Sequence, residues 1–414
     1  MKRILSNFAS LYKCEPLIMF LLSWLLLSGS TISIYAALIL VPYVIVQRKI
    51  KKGIDNMFIL IMGYSVCYTL FSFFNGYYQG SLSNIFFQSL FPPVFYLIGK
   101  WMVRSKTEDM LILFFLILVG FIAVPVIIDV INDIRENQFI NVMRNLETED
   151  GSTAGSATNL GVRVSLAVAS IGVLMGKCNT RYEYLATILF FIVAAFGITC
   201  ILHLINRTGI IIAVISLLAV LSFNVRKLSK KNLIIIFAIS LAVAIYYVPR
   251  IQFATELKEV YEHRNDKDSS SASSAGGRTD LWLYGLKNIY KSPFGVDISN
   301  FKRYAHNYWL DTSLRGGFLA LLFLFILTIK HIRNSWFVIK RLDASLLRTL
   351  IITTNIGFFL TALVEPIMEG FQVYVFLLFL FIGIVQQLKI FSKDNLSRQQ
   401  YLSVNFQQIP CETK

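Results

Sequence analysis

Three short segments of the chain contain residues that could bind an anion and move a proton. Arg207 lies in Asn206-Arg207-Thr208-Gly209, a brief polar break between two apolar runs, and Arg278 follows Gly276 and Gly277 ahead of an amphipathic stretch. His306, followed by Asn307, closes a long polar segment in front of another apolar run. An arginine beside the N–H groups of a helix N-terminus favours bound anions, and an imidazole can accept a proton from a hydroxyl near neutral pH. We therefore expect a site that holds an anionic group and activates a hydroxyl.

Further polar residues stand near the ends of apolar runs and are weaker candidates. Arg163 lies one turn into a predicted helix, and Glu365 and Glu369 flank the break between the last two apolar runs. The two glutamates could serve as an alternative base, fix an arginine, or simply be solvated. Arg315 lies about 12 Å along a helix that would start near His306, and Asp311 four residues earlier suggests a structural ion pair.

The elements that must position these residues are membrane-spanning helices. Of the 414 residues 56% are hydrophobic and only 15% are charged, which excludes a water-soluble enzyme and a disordered binder. The apolar runs have the length of about 20 residues that crosses a bilayer as a helix. They predict an all-α polytopic membrane protein with twelve spans, at 16–29, 31–47, 56–75, 84–102, 110–131, 160–176, 184–204, 209–225, 233–249, 308–329, 346–364 and 371–388. Residues 1–30 could alternatively be a signal peptide, although we favour a retained helix.

Basic residues in the connecting segments predict the orientation. One alternate set of loops contains eighteen Lys and Arg residues, whereas the opposite set of short loops contains only Arg207. The positive-inside rule places the eighteen, and both termini, in the cytoplasm. The net charge of +15 is therefore mostly a topological signal, and no basic face with interleaved aromatic residues predicts nucleic-acid binding.

This orientation places two long loops on the extracytoplasmic side. We expect spans 1–9 within residues 1–249, a large outer loop over 250–307, spans 10–12 within 308–390 and a cytoplasmic tail over 391–414. The shorter outer loop is 132–159. No cysteine pair for an outer disulfide and no metal-ligand spacing is visible in the sequence, so we expect neither a metal nor another cofactor.

The large outer loop has three parts. Residues 254–264 predict a short polar helix, and 266–277 form a stretch rich in serine, glycine and alanine. Residues 279–290 predict an amphipathic helix with Thr279 as N-cap and with Trp282, Leu286 and Ile289 on one face, suited to the membrane surface. The arrangement fits either a lid or a linker with a surface anchor.

The predicted topology brings the candidates together. Spans 6, 8 and 10 all run inward, so Arg163, Arg207 and His306 mark helix N-termini on the outer face, where Arg278 could join them. Several cations and helix dipoles suit a pyrophosphate, which as a leaving group needs neutralised charge. A lipid-linked diphosphate would place its tail between the helices and its sugar outside.

At these residues the chain resembles the O-antigen polymerase and ligase superfamily of bacterial envelope glycan synthesis. The resemblance depends on the order of three segments: Asn206-Arg207-Thr208-Gly209, Gly277-Arg278 before a helix ending in Lys291-Ser292-Pro293-Phe294-Gly295, and His306-Asn307 followed by Gly316-Gly317. It covers roughly residues 200–330, and the N-terminal half is similar in hydropathy only.

The resemblance implies a metal-independent glycosyltransferase of the bacterial inner membrane that uses undecaprenyl-pyrophosphate-linked glycans. Arg207 and Arg278 would bind the pyrophosphate, and His306 would activate the acceptor. A polymerase transfers the chain to another lipid-linked repeat unit and a ligase transfers it to lipid A-core; we favour the polymerase. Membrane lipid, a flippase and a chain-length regulator are the expected partners. The rival functions are a transporter or flippase of lipid-linked sugars and a non-catalytic scaffold, but we find no internal repeat typical of transporters.

Overall fold

The computed structural model describes most of the helical chain. The described residues are 6–10, 16–27, 39–40, 42–44, 54–78, 82–104, 107–137, 145–147, 153–224, 278–300, 304–342, 345–365, 367 and 372–407. The predicted span 233–249, most of the span 31–47, the loop residues 250–277 and Glu369 lie outside them.

The described residues form a bundle of long helices. In chain order these are α1 (Pro16–Leu27), α2 (Asn56–Phe74), α3 (Leu82–Arg104), α4 (Glu108–Asn137), α5 (Ala157–Ala169, continued by the 3-10 turn Ser170–Met175), α6 (Arg181–His203), α7 (Arg207–Asn224), α8 (Arg278–Lys291), α9 (Tyr308–Arg341), α10 (Leu346–Val364) and α11 (Gln372–Gln407). Seven are long and apolar enough to cross a membrane, and α1 and α7 are shorter apolar helices. The prediction of an all-α polytopic membrane protein is confirmed, whereas the number of twelve spans stays a prediction.

A small β-hairpin interrupts the helical architecture in the predicted outer loop 132–159. Strands β1 (Asn145–Glu147) and β2 (Thr153–Ser156) pair antiparallel, with Leu146 opposite Gly155. The sequence predicts only a loop here, because three- and four-residue strands carry too little alternation of polar and apolar residues to be recognised.

Helix α9 reverses direction at Gly317. Gly317 has φ 69° and ψ −175° within the helical stretch, and the Trp309 indole N–H donates to Thr328 Oγ1 over 3.1 Å. Residues 19 positions apart in a continuous helix would be separated by about 28 Å. The first arm of α9, 308–316, therefore folds back along the second arm, 318–341.

This reversal corrects the prediction that the tenth span begins beside His306 and runs directly inward. Arg315 is near the end of the first arm. It lies at the turn between the two arms, where its backbone carbonyl accepts from Asn75 at the end of α2. His331 is buried on the second arm at 2% exposure, with its Nε2 3.0 Å from Asn355 Oδ1 in the middle of α10.

The segment that follows α8 holds the turn of α9 in place. Phe318 N donates to Pro293 O over 2.7 Å, and Val296 N donates to Leu314 O over 2.6 Å. A Cβ on Gly317 would come within 2.5 Å of Pro293 O, so a larger residue would collide there as well as resist the positive φ. Two of the sequence segments that carried the family resemblance, around Pro293 and around Gly317, thus contact each other directly.

Helix α8 packs with one face on the first arm of α9. Trp282 and Ile289 both contact a small cluster that includes Leu310 and Leu314, so these two residues lie on one face of α8, as predicted. Leu286 is 51% exposed and does not belong to that face. The helix begins at Arg278, so Thr279 lies inside its first turn and is not the predicted N-cap.

Candidate active site

Glu365 is the residue at which the candidate side chains meet. It caps the C-terminus of α10, where its N–H donates to Thr361 O, and it is 3% exposed. Its Oε1 accepts from Thr208 Oγ1 over 3.1 Å, and its Oε2 lies 3.4 Å from Arg278 Nη2. The same Oε2 lies 3.9 Å from His306 Nδ1. One buried carboxylate thus links α7, α8, α10 and the segment just before α9.

The N-terminus of α7 contains Arg207, and the next residue in the chain contacts this carboxylate. Asn206 caps the helix, since its side-chain oxygen accepts from Gly209 N over 3.0 Å. Ile205 adopts a left-handed φ of 50°, which lets the chain turn sharply out of α6. Arg207, the first residue of α7, is exposed, and its neighbour Thr208 carries the contact to Glu365.

Helix α8 contributes Arg278 to the site. The guanidinium belongs to the first residue of α8, and its side chain is 24% exposed. Trp282, one turn further, donates its indole N–H to Ala305 O over 2.8 Å. Helix α8 therefore delivers the arginine and also contacts the backbone immediately before His306.

His306 lies in an unusual backbone conformation directly before α9. Its φ is 54°, one of two positive values among the described non-glycine residues, and its side chain is 29% exposed. Its Nδ1 is buried and has no hydrogen-bond partner within the described residues. Because the nearest carboxylate oxygen is 3.9 Å away, a small movement of either side chain would form a hydrogen bond.

Asn307 links two helices through its side-chain amide. Its side-chain oxygen accepts from the N–H groups of Trp309 and Leu310 and so caps α9. Its amide nitrogen donates to Leu363 O over 3.1 Å. The residue therefore fixes the start of α9 against the end of α10, which carries Glu365.

The other two predicted cations, Arg163 and Arg315, interact with residues other than Glu365. Arg163 is 7% exposed in α5, where the charge of Asp129 in α4 acts on it. Arg315 stacks its guanidinium over the rings of Tyr77 and Tyr304, at 4.4 and 4.9 Å from their centroids. The N-termini of α5 and α7 do meet, since Asn206 packs against Gly161 and donates to Ala157 O.

Sequence reasoning underestimated Glu365 and missed Thr208 and His203. Glu365 was only an alternative base, because a glutamate after an apolar run looks like a solvated loop residue. His203 forms a buried 2.6 Å contact with Asp133, just ahead of the turn that carries Arg207. In the sequence, Asp133 and His203 are visible only as ionisable residues near the ends of two apolar runs. No spacing rule connects two residues so far apart in the chain.

The arrangement can bind an anion and accept a proton. Arg278 supplies positive charge beside the Glu365 carboxylate, and the exposed Arg207 begins the helix whose next residue, Thr208, contacts the same carboxylate. The side chains of Arg278 and His306 are partly exposed. Among the described residues no group of three His, Cys, Asp or Glu side chains could hold a metal ion.

A comparison with protein families matches part of the chain. Residues 189–325 match the family model described as O-antigen ligase. No curated protein matches the chain. The matched segment includes Arg207, Arg278, His306 and Gly317 but ends before Glu365.

Residues 189–325 are thus similar to the O-antigen ligase family, in a chain whose described residues include helices long and apolar enough to cross a membrane. The predicted resemblance to the O-antigen polymerase and ligase superfamily is confirmed.

Proposed function

We propose that the protein is a glycosyltransferase that polymerises undecaprenyl-pyrophosphate-linked oligosaccharide repeat units on the outer face of the bacterial inner membrane. The observation that carries the proposal is the junction at Glu365, which gathers Thr208, Arg278 and His306 from three separate parts of the chain. Each of these parts lies at the end of a helix. The family match supports the same class of reaction.

The pyrophosphate of the donor is bound by Arg207 and Arg278 in this proposal. Both residues begin helices, so N–H groups of α7 and α8 add partial positive charge to that of the guanidinium groups. Guanidinium groups also bind phosphate oxygens in a bidentate manner. This charge stabilises the pyrophosphate as it leaves the sugar, which is the role that a metal plays in other glycosyl transfers.

His306 accepts the proton of the acceptor. The acceptor hydroxyl oxygen forms a bond to the anomeric carbon of the donor glycan, and the bond from that carbon to the pyrophosphate oxygen breaks. The hydroxyl proton passes to Nε2 of His306, while Nδ1 faces Glu365. A carboxylate beside Nδ1 stabilises the imidazolium that forms, and ligand binding would shorten the 3.9 Å separation.

Arg163 keeps an indirect place in this proposal. Because it is buried beside Asp129, a pyrophosphate would reach it only through rearrangement of the N-terminus of α5. We therefore assign the direct contacts to Arg207 and Arg278. The expected flippase and chain-length regulator would supply the donor and limit the product.

Ligation to lipid A-core is the second candidate function, because the matching family model carries that description. Both reactions use the same donor and leaving group, so the residues at Glu365 fit either one. The acceptor alone distinguishes them.

A reconstituted assay separates the two functions. Purified protein is incubated with a synthetic lipid-pyrophosphate repeat unit, with and without lipid A-core. We expect a ladder of products from the repeat unit alone. A product that forms only when core is present would establish a ligase, and transport of the unit across vesicles without new glycosidic bonds would contradict both functions.

A further inference from the structure

The backbone at His306 requires support from its surroundings. A left-handed φ of 54° brings the Cβ of a histidine close to its own backbone, so this conformation is disfavoured unless other contacts hold it. Strained backbone of this kind tends to occur where a side chain must be aimed. The question is which residue holds the chain in this conformation.

Asp311 contacts the backbone on both sides of His306. Its Oδ1 accepts from Ala305 N over 2.6 Å, and its Oδ2 accepts from Asn307 N over 3.2 Å. The carboxylate is buried, with the residue 2% exposed, and it belongs to the first turn of α9. Both oxygens of one rigid carboxylate are thus used to fix the two peptide groups that flank the histidine.

Other hydrogen bonds also hold residues 305–307, but they do not do what the Asp311 carboxylate does. Trp282 donates to Ala305 O, and Asn307 donates its side-chain amide to Leu363 O. These bonds position Ala305 and Asn307 relative to α8 and α10. Only the Asp311 carboxylate, among the hydrogen bonds found in the described residues, bridges the two residues and spans His306 itself.

We propose that Asp311 is a positioning residue that holds His306 in its left-handed conformation and so keeps the imidazole beside Glu365. The proposal deepens the proposed function and rests on it for the role of His306. In this proposal Asp311 acts through the two backbone N–H groups that it binds. An asparagine at this position could accept only one of the two N–H groups, because its amide nitrogen would face the other.

The first test measures the chemical reactivity of the His306 imidazole and does not depend on enzymatic activity. Purified wild type, Asp311→Asn and the control Asp297→Asn are treated with diethyl pyrocarbonate, and modification of the peptide containing His306 is followed by mass spectrometry. Asp297 is an exposed aspartate whose carboxylate accepts a hydrogen bond from Ser299 N. We expect Asp311→Asn to raise the modification rate of His306 by about threefold or more, because local release exposes the ring, while the control leaves it unchanged.

The second test asks whether Asp311 acts through His306. In the glycan-transfer assay, Asp311→Asn is expected to lower kcat by about 10- to 100-fold with little change in KM for the donor, since the pyrophosphate contacts lie on other helices. In a His306→Ala background the same substitution should cause no further loss. Losses that multiply in the double variant would overturn the proposal.

The outcomes of the two tests separate the two proposals. An unchanged modification rate of His306 in folded Asp311→Asn overturns the positioning role, whatever the activity. A raised modification rate in a protein that forms no glycosidic bond supports the positioning role and contradicts the proposed function. If Asp311→Asn does not fold, Asp311→Glu, which keeps the charge but displaces the carboxylate, is expected to raise the modification rate, and an unchanged rate in that variant overturns the proposal.

Discussion

Two carboxylates organise two regions of this protein in different ways. Asp55, before α2, accepts from Met57 N and Phe58 N at 3.0 Å, from Tyr96 at 2.8 Å and from Lys100 Nζ at 2.7 Å. Glu365 is more deeply buried, with a side-chain exposure of 4% against 22% for Asp55. Its contacts to Thr208, Arg278 and His306 are nevertheless longer, at 3.1, 3.4 and 3.9 Å.

The difference separates a structural network from a site. Charge-assisted hydrogen bonds in a completed network measure about 2.7–2.9 Å, as the bond between Lys100 and Asp55 does. Gln386 of α11 also donates to Asp55, so this carboxylate joins α2, α3 and α11. Around Glu365 the bonds are loose and the cations stay partly exposed, which is typical of catalytic groups before a ligand is bound.

The largest expected effect follows from removing the imidazole at the Glu365 site. His306→Ala should reduce glycan transfer by about 10²- to 10⁴-fold, because it removes the general base. The thermal unfolding midpoint in detergent should change little, since His306 is partly exposed and makes no hydrogen bond through Nδ1. A variant that still makes long glycan chains at normal protein level would contradict the role of His306.

Glu365→Gln tests whether the charge of Glu365 serves the reaction or only the structure. The substitution keeps the shape and the hydrogen bond from Thr208 but removes the charge that faces Arg278 and His306. We expect transfer to fall by about 10- to 100-fold, since the charge that stabilises the imidazolium is lost. Loss of folded protein without loss of activity per folded molecule would show that Glu365 is structural, like Asp55.

Arg278→Lys tests whether the guanidinium binds the donor. Lysine keeps the charge but cannot bind phosphate oxygens in a bidentate manner, so KM for the lipid-pyrophosphate donor should rise by about tenfold. Lys287→Ala, an exposed cation on the same helix, is the matched control and should leave KM unchanged. Equal effects of the two substitutions would indicate only a general influence of charge.

Asp55→Asn is expected to have the opposite phenotype. Loss of the charge weakens the bond from Lys100 and the cap of α2, which should lower the free energy of unfolding by about 1–2 kcal/mol. Transfer per folded molecule should stay at the wild-type level. A fall in activity at unchanged stability would break the distinction between the two carboxylates.

The smallest effect concerns pH. Burial alone would raise the pKa of Asp55, but the hydrogen bonds from Lys100, Phe58 N and Tyr96 outweigh it, and the pKa is lowered. A lowered pKa contributes stability above the unfolded value of about 3.9, and this contribution is lost as pH falls through the folded value. Below about pH 4 the unfolding midpoint should therefore fall more steeply in wild type than in Asp55→Asn. If the unfolding midpoints of wild type and Asp55→Asn fell in parallel as the pH is lowered, the charge of Asp55 would contribute nothing to stability.

The sequence allowed the helices to be predicted because apolar runs of bilayer length are a strong local signal. Ten of the predicted spans coincide with described helices, among them 56–75 with α2 and 346–364 with α10. Boundaries were less accurate: α4 continues to Asn137, past the predicted end at 131. The reversal of α9 was not predictable from hydropathy, since both arms are apolar and helical.

The candidate site was predictable as a set of residue types but not as a geometry. Arg207, Arg278 and His306 were recognised because each is a polar residue at the end of an apolar or amphipathic run. That Glu365, 59 positions after His306, would be their common partner depends on the docking of α10 against α7 and α8. Contacts between residues so far apart in the chain leave no periodic pattern.

The sequence by itself therefore determined the class of protein, the positions of its helices and the residue types available for chemistry, because these depend on local composition and on the length of a bilayer crossing. The tertiary structure decided which of those residues meet. Gly317 turns α9 back on itself, so His306 lies beside Glu365 and Arg315 lies at the turn against Tyr77 and Tyr304. A single backbone angle at one glycine changes the direction of a whole helix, and tertiary contacts, among them those of Pro293 and Phe294, hold the chain at that angle.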